Sequence, residues 1–325
     1  MKNFILDLSE KIINEKHKIS FEDALKLTEV NRDDLLFLIY CANLITKKFN
    51  KTDVELCSIL NVKSGACSED CKFCGQSIFY NTGVSVYEIL DKEKIFESAK
   101  NAKKNKANRF CVVTSGNEIK DRDFEKICET LNFIKYNLDI NLDASLGRLT
   151  RDKVILLKKT GLSRYNHNIE TSESFFANIC TTHTFKDRLH TILLCKQQGL
   201  DLCTGGIIGL GENYKHRIEF AFILKELDIN YIPLNFLHPI AGTPLENIQP
   251  LKPLEILKII SIFRFILPDK NLRICGGREK NLRSLQPLIF FAGANGIIIG
   301  DYLTTHGQAS ELDLQMLDDL ELKFY

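Results

Sequence analysis

The chain has 325 residues, of which 44% are hydrophobic and 26% charged, and its 43 basic and 42 acidic side chains leave a net charge of +1. This balance is typical of a globular protein with a large core and argues against a nucleic-acid or membrane-surface partner. No stretch approaches the roughly 20 apolar residues of a membrane-spanning helix. The first 18 residues carry acidic side chains where a secretory signal would be apolar. We therefore expect a cytoplasmic protein that binds neither nucleic acid nor membrane.

Residues 1–55 have helical spacing of apolar residues, and Ser20 followed by Asp23 is a weak capping box. We expect a helical N-terminal extension over 1–55 and a single barrel domain over 56–325. Short β-rich runs in the second part predict eight strands, at 56–62, 109–115, 140–145, 164–168, 202–208, 231–236, 271–275 and 296–300. The helix-like stretches between them include 87–106, 121–136, 184–198, 213–227, 252–266 and 279–291.

Eight strands that alternate with helices favour an α/β fold of the parallel (β/α)8 TIM type over an open doubly wound sheet. In such barrels the functional side chains lie at the carboxyl ends of the strands. Polar residues on or just after the predicted strands are therefore the candidates for the site.

The cysteines give the first chemical signal. Eleven is an odd number, and in a chain of this length it argues against a disulfide framework and for reduced thiols. Cys67, Cys71 and Cys74 form a C-x3-C-x2-C cluster just after the first predicted strand, and the other eight are scattered singly. A structural zinc site needs four ligands, and no fourth lies nearby along the chain. Three thiolates instead suit a [4Fe–4S] cluster with one open iron, although zinc or unrelated core cysteines are alternatives.

The segment 64–77, SGACSEDCKFCGQS, resembles the signature of radical S-adenosylmethionine (SAM) enzymes and, among them, of the biotin synthase family. The resemblance implies that Cys67, Cys71 and Cys74 hold a [4Fe–4S] cluster whose open iron binds SAM. One electron would then cleave the sulfonium and release a 5′-deoxyadenosyl radical. Phe73 would lie beside the adenine; a core aromatic is the alternative.

Two asparagines occupy the predicted fourth strand, although asparagine is depleted in strands. Asn166 and Asn168 are two residues apart and point to the same side, which in a barrel can be the lumen. Their amides could bind a polar ligand or could be satisfied within the core. The resemblance places both asparagines against the substrate or SAM, and places Asn235 of the sixth strand near the substrate.

Further positions match family residues near SAM. Glu170 would meet the ribose hydroxyls, although many family members carry aspartate there. Arg188 would pair with the SAM carboxylate, and a solvated helix arginine is the alternative. Gly205 and Gly206 lie in a run that resembles the cofactor-binding turn of the family, where glycine lets the backbone approach a ligand. A packing turn of the barrel is the competing interpretation.

The family's auxiliary [2Fe–2S] cluster takes three cysteines and one arginine, and here the chain departs from the pattern. Cys111, Cys203 and Arg273 match three of those ligands, whereas Asp143 stands where the third cysteine is expected. Cys275 lies two residues beyond Arg273 on the same face. One hypothesis is that Cys111, Cys203 and Cys275 hold a larger cluster with an open iron. The other is that Asp143 or Arg273 completes a [2Fe–2S] site.

The resemblance, which covers about residues 50–305, implies conversion of dethiobiotin to biotin with sulfur from the auxiliary cluster. It also implies a one-electron donor such as flavodoxin or ferredoxin, and a homodimer. The alternatives are another radical SAM enzyme of the same branch, a non-catalytic iron–sulfur scaffold or carrier, and a zinc-binding module.

Overall fold

A computed structural model describes residues 1–50 and 53–324. The described residues form nine strands in one parallel sheet. The strands are β1 (Glu55–Lys63), β2 (Arg109–Thr114), β3 (Asn141–Ser145), β4 (Arg164–Asn166), β5 (Asp201–Cys203), β6 (Gly206–Ile208), β7 (Tyr231–Phe236), β8 (Asn271–Ile274) and β9 (Gly296–Ile298). All eight predicted strands are present, and the predicted fifth is divided into β5 and β6.

The sheet closes on itself. Its order is β5-β4-β3-β2-β1-β9-β8-β7-β6, and β5 also pairs with β7 through Cys203 and Tyr231. β5 and β6 therefore occupy one position between β4 and β7, and eight positions surround the lumen. The predicted (β/α)8 barrel is confirmed.

The break between β5 and β6 has a steric reason at two glycines. A Cβ at Gly205 would lie 1.9 Å from the carbonyl oxygen of Pro233, and one at Gly206 would lie 2.1 Å from that of Glu170. The backbones come this close because the Glu170 carbonyl accepts a hydrogen bond from the Ile207 amide at 2.8 Å. Only glycine fits at either position, so both have a packing role irrespective of any ligand.

We predict that Gly206→Ala lowers the free energy of unfolding by about 3 kcal/mol, because the new methyl group would overlap a backbone oxygen that cannot move independently. Denaturant unfolding measures the loss. Gly83→Ala is the matched control, because a Cβ added at Gly83 would meet open space and only the positive φ of 68° opposes the substitution. We expect this variant to lose about 1 kcal/mol of unfolding free energy. Equal losses in the two variants would contradict the steric account.

Helices surround the barrel. Those between strands are α4 (Lys92–Lys104), α5 (Asp121–Asn137), α6 (Arg151–Lys159), α7 (Glu173–Phe176), α8 (Phe185–Gln197), α9 (Tyr214–Glu226), α10 (Pro253–Ile266), α11 (Arg278–Leu282) and α12 (Leu288–Phe291), and α13 (Ser310–Asp319) follows β9. The predicted helix over 279–291 is wrong as a single element. It is interrupted by a 3-10 turn at Arg283–Leu285 and by Pro287, which has no amide hydrogen to continue a helical ladder.

The N-terminal extension consists of α1 (Lys2–Glu15), α2 (Phe21–Leu27) and α3 (Arg32–Phe49). Ser20 and Asp23 form the predicted capping box at the start of α2. α3 packs against α10, and α2 packs against α9 through the Phe21 and Phe222 rings, whose centroids are 5.5 Å apart. β1 begins soon after α3 ends; the division of the chain into two units at residue 55 stays a prediction. Within the described ranges, none of the helices combines the length and apolar character needed to cross a bilayer.

Candidate active site

A cavity of about 300 Å³ opens at the carboxyl ends of the strands. Seven cysteines line it: Cys57, Cys67, Cys71, Cys74, Cys111, Cys203 and Cys275. Other predicted site residues that line it are Phe73, Asn166, Asn168, Glu170, Arg188, Asn235 and Arg273. In the described part of the chain, Asp143, Gly205 and Gly206 do not belong to this lining. The fold thus brings most of the predicted site residues to one chamber.

The loop after β1 carries the cysteine triplet and is held by its own backbone. The Cys67 amide donates to the Gln76 carbonyl at 3.0 Å, and the Ile78 amide donates to the Cys67 carbonyl at 2.9 Å. The Cys74 amide donates to the Cys71 carbonyl at 2.9 Å, which closes the turn between the last two thiols. Cys67, Cys71 and Cys74 therefore line the cavity on a loop that its own backbone hydrogen bonds hold together.

The thiols of the triplet are neutral when no metal is bound. Burial raises the pKa of Cys67 and raises that of Cys74 to about 11. The pKa of Cys71 is raised first by its hydrogen bond with Cys180 and then by burial. A metal ion or cluster must displace these protons when it binds. One buried thiol, that of Cys71, and two partly buried ones, those of Cys67 and Cys74, line the same cavity and fit a [4Fe–4S] cluster that keeps an iron free.

A further thiol that the sequence did not single out lies beside the triplet. The Cys180 Sγ is 3.8 Å from the Cys71 Sγ, 3.2 Å from His183 Nδ1 and 3.2 Å from Asp70 Oδ1. Ligand atoms of Cys71, Cys180 and His183 all lie within 4.8 Å of one another. The sequence shows no further ligand near the triplet because Cys180 is 109 residues from Cys71. In the folded chain, however, Cys180 lies beside the triplet.

Asn166, Asn168 and Asn235 line the cavity, as the alternation of side chains predicted for the first two. Asn235 Nδ2 donates to the Gly206 carbonyl at 3.1 Å and its Oδ1 accepts from the Gly276 amide at 3.0 Å. Asn166 Nδ2 is 3.2 Å from the Cys111 Sγ. Within the described residues, the buried Asn166 Oδ1 has no hydrogen-bond partner. A buried acceptor of this kind is costly unless a ligand satisfies it.

Glu170 and Arg188 meet at the wall of the cavity, with an Arg188 Nη1 to Glu170 Oε1 distance of 3.4 Å. Arg188 also donates to the Asn168 carbonyl at 3.0 Å, which orients the guanidinium. Burial raises the pKa of Glu170 although Arg188 opposes that shift. Glu170 has a positive φ of 65°, a strained conformation for a residue with a side chain. A third contact, donation from Arg188 Nε to His183 Nε2 at 3.0 Å, also holds Arg188 at the cavity wall, so it is not a solvated surface residue.

Four thiols on the barrel strands form a second set, which we term the lumen thiols: Cys57 of β1, Cys111 of β2, Cys203 of β5 and Cys275 just after β8. Each is at most 1% exposed. Burial raises the pKa of Cys57 to about 12, and it raises the pKa of the other three as well. Soft thiolates in a dry lumen suit an iron–sulfur cluster. The predicted common face of Arg273 and Cys275 is present, since both line the cavity.

One layer further toward the amino ends of the strands lies a buried group of charges, which we term the floor layer: Glu55, Arg109, Asp143, Arg164 and Arg273. Glu55 accepts from Arg109 at 3.3 Å and from Arg164 at 3.1 Å, and it also contacts Arg273. Burial raises the pKa of Glu55, but Arg273 and Arg164 lower it more, to well below its usual range. Asp143 is paired with Arg109 at 2.6 Å, and burial raises its pKa despite this arginine.

Comparisons with known proteins identify the family of the chain. Residues 61–224 match the Radical SAM superfamily, and residues 233–323 match the Biotin and Thiamin Synthesis associated domain. A biotin synthase of Carboxydothermus hydrogenoformans is 48% identical over 325 residues, which cover 99% of this chain and all of that protein. The chain belongs to the biotin synthase family. A second family member, the biotin synthase of Clostridium acetobutylicum, is 46% identical and covers 99% of this chain and 98% of its own length.

Membership of the biotin synthase family makes this chain a radical SAM enzyme, which confirms the predicted family and enzyme class. Solved structures outside the family show the same fold. Methylornithine synthase has a TM-score of 0.85 at 19% identity, over 98% of this chain and 97% of that one. An FeFe-hydrogenase maturase of Carboxydothermus hydrogenoformans has a TM-score of 0.81 at 17% identity, over 98% of this chain and 78% of that one.

Besides Cys180, a second residue that sequence reasoning missed is Cys57. It lies in the predicted first strand, two residues before Ile59, which also lines the cavity. The alternation of side chains along β1 was therefore a usable signal.

Proposed function

We propose that this chain converts dethiobiotin to biotin, with a [4Fe–4S] cluster at Cys67, Cys71 and Cys74 and an auxiliary iron–sulfur cluster at the lumen thiols. The observation that supports this proposal is that two separate sets of thiols line one cavity, which three asparagines also line. When bound, the first cluster and SAM would supply a carbon radical and the auxiliary cluster would supply sulfur. The barrel contributes a recessed chamber that would limit the access of water to a radical.

We assign the polar residues tasks from the side-chain groups that each can offer to a ligand. Arg188 presents a guanidinium for the SAM carboxylate, and Glu170 presents a carboxylate for hydroxyl groups. Asn168 holds the wall by accepting from the Gly205 amide at 3.2 Å. Among the described residues, Asn166 Oδ1 has no hydrogen-bond partner and could accept from a substrate donor such as a urea nitrogen. Asn235 already bonds to the backbone and must give up such a bond to bind the substrate. Phe73 adds an aromatic surface at the mouth.

For the auxiliary cluster we propose ligands drawn from Cys57, Cys111, Cys203 and Cys275, and a cluster larger than [2Fe–2S]. Asp143 is a poor candidate because it is committed to Arg109 and absent from the described lining of the cavity. Arg273 does line the cavity, so a [2Fe–2S] site that it completes is the competing assignment. A one-electron donor such as flavodoxin or ferredoxin, and a homodimer, belong to the proposal by analogy with the family alone.

The test is anaerobic reconstitution followed by turnover with dethiobiotin, SAM and a low-potential reductant. We expect biotin and 5′-deoxyadenosine among the products, and more than four irons per chain before turnover. The auxiliary cluster should lose sulfide as biotin forms. Production of 5′-deoxyadenosine with no biotin would show that the substrate is a different molecule.

We predict that Asn166→Ala weakens dethiobiotin binding about 5- to 150-fold, the equivalent of the 1–3 kcal/mol that a lost buried hydrogen bond costs. The coupling of 5′-deoxyadenosine formation to biotin formation should fall, and the triplet's cluster should keep its spectrum. Asn247→Ala is the control, because Asn247 lies on the exposed loop after β7 and outside the cavity lining. Normal yield and affinity in Asn166→Ala would mean that Asn166 only packs.

A further inference from the structure

The floor layer places charges directly below the lumen thiols. Glu55 precedes Cys57 by two residues, Arg109 likewise precedes Cys111, and Arg273 precedes Cys275. Since two residues advance a strand by about 6 to 7 Å, each charge lies one layer below a thiol on the same face. Glu55 lies outside every motif that carries the family resemblance.

Glu55 is the centre of this layer. It is 6% exposed and is contacted by three guanidinium groups, those of Arg109, Arg164 and Arg273. Arg164 also lies over the Tyr231 ring, which fixes its position. The three arginines face only two carboxylates, so the layer keeps one positive charge. Removing the charge of Glu55 would leave the three guanidinium groups with Asp143 as their single acidic partner and raise the net charge of the layer to two.

Arg273 is the member of the layer that borders the thiols. One of its terminal nitrogens, Nη2, contacts Glu55, while the other, Nη1, lies 3.7 Å from the Cys203 Sγ. Among the described residues its Nε has no hydrogen-bond partner. The Arg273 guanidinium is therefore attracted to the Glu55 carboxylate on one side and to any thiolates of the lumen on the other.

We propose that Glu55 is a positioning residue that holds the Arg273 guanidinium in the floor layer, so that the auxiliary cluster is ligated by thiolates and not by Arg273. The inference rests on the auxiliary site proposed above. Its physical basis is the strength of ion pairs in a buried site, where a carboxylate shared among guanidinium groups is difficult to break. Glu55 would act on the cluster only through Arg273, since Glu55 does not belong to the described lining of the cavity.

The test compares the auxiliary-cluster Mössbauer spectra of four anaerobically reconstituted proteins: unaltered, Glu55→Gln, Arg273→Met and the double variant. Arg273→Met alone should leave the spectrum unchanged, because Arg273 is not a ligand. Glu55→Gln should shift it, because the released guanidinium turns to the thiols. The double variant should return to the unaltered spectrum. A purely structural role for Glu55 would not be reversed by removing Arg273.

Asp313→Asn is the matched control, because it neutralises a buried carboxylate that pairs with an arginine, Arg278, outside the cavity lining. It should leave the auxiliary spectrum unchanged. A second measurement does not depend on the folding of any variant. Pulsed EPR of the reduced, unaltered holoenzyme, grown with isotopically labelled arginine, should show no strongly coupled arginine nitrogen.

Three results would overturn the inference alone: an altered spectrum in Arg273→Met, an unaltered one in Glu55→Gln, or a shift in Glu55→Gln that persists in the double variant. A strongly coupled arginine nitrogen would also overturn it. Unaltered holoenzyme that carries only the cluster of the triplet would overturn the proposed auxiliary site and this inference together. The two failures are therefore distinguishable.

Discussion

Replacing Cys67, Cys71 or Cys74 with alanine should abolish reductive cleavage of SAM and leave less than about 1% of the 5′-deoxyadenosine of the unaltered protein. The expected loss is near-complete because the loop brings only these three thiols of the C-x3-C-x2-C motif to the cavity, and a cluster with one iron open to SAM needs all three. The measurement is 5′-deoxyadenosine after anaerobic reduction, together with iron per chain.

Two other cysteines serve as comparisons for this prediction. Cys128→Ala is the matched control, since Cys128 is a partly exposed thiol of α5 outside the cavity, and the variant should retain full cleavage. Cys180→Ala tests the neighbouring thiol and should also retain the cluster if the triplet suffices. Normal cleavage in any one triplet variant would show that Cys180 or His183 can replace that ligand, and the three-thiolate assignment would fail.

Cys275→Ser and Cys57→Ser should each lose the auxiliary cluster and at least about 90% of biotin formation, while SAM cleavage persists. Serine removes a soft thiolate from a buried set and offers a hydroxyl that binds iron poorly. We expect SAM cleavage to persist because Cys57 lies on β1 and Cys275 just after β8, and neither belongs to the loop that holds the triplet. Mössbauer spectra, iron counts and the ratio of biotin to 5′-deoxyadenosine measure it.

Asp143→Asn and Arg273→Ala distinguish ligation by the lumen thiols alone from a [2Fe–2S] site that Asp143 or Arg273 completes. Asp143→Asn keeps an oxygen for the Arg109 hydrogen bond and should retain the auxiliary cluster. Arg273→Ala should retain it as well, since Glu55 keeps two other arginine partners. An intact auxiliary signal in Cys275→Ser, with loss confined to Asp143→Asn or Arg273→Ala, would instead establish a [2Fe–2S] site completed by Asp143 or Arg273.

Residue spacing alone was enough for the fold, whereas the radical SAM motif needed spacing together with its resemblance to the family signature. Both are local patterns: alternating strand and helix runs at barrel intervals, and three cysteines within eight residues on one loop. That Asn166 and Asn168 both line the cavity followed from the alternation expected of a strand over 164–168, although β4 ends at Asn166. The interrupted helix over 279–291 was the local exception, since a proline and a 3-10 turn separate its parts.

Only the tertiary structure decided which distant residues meet. Nothing along the chain relates Cys57 to Cys275, or Cys180 to Cys71, because closure of the barrel brings together side chains from strands and loops far apart in sequence. The same closure commits Asp143 to Arg109 and gathers three arginines around Glu55. Spacing identifies a residue's face on its own strand, whereas its partners depend on the register between strands, which long-range packing sets.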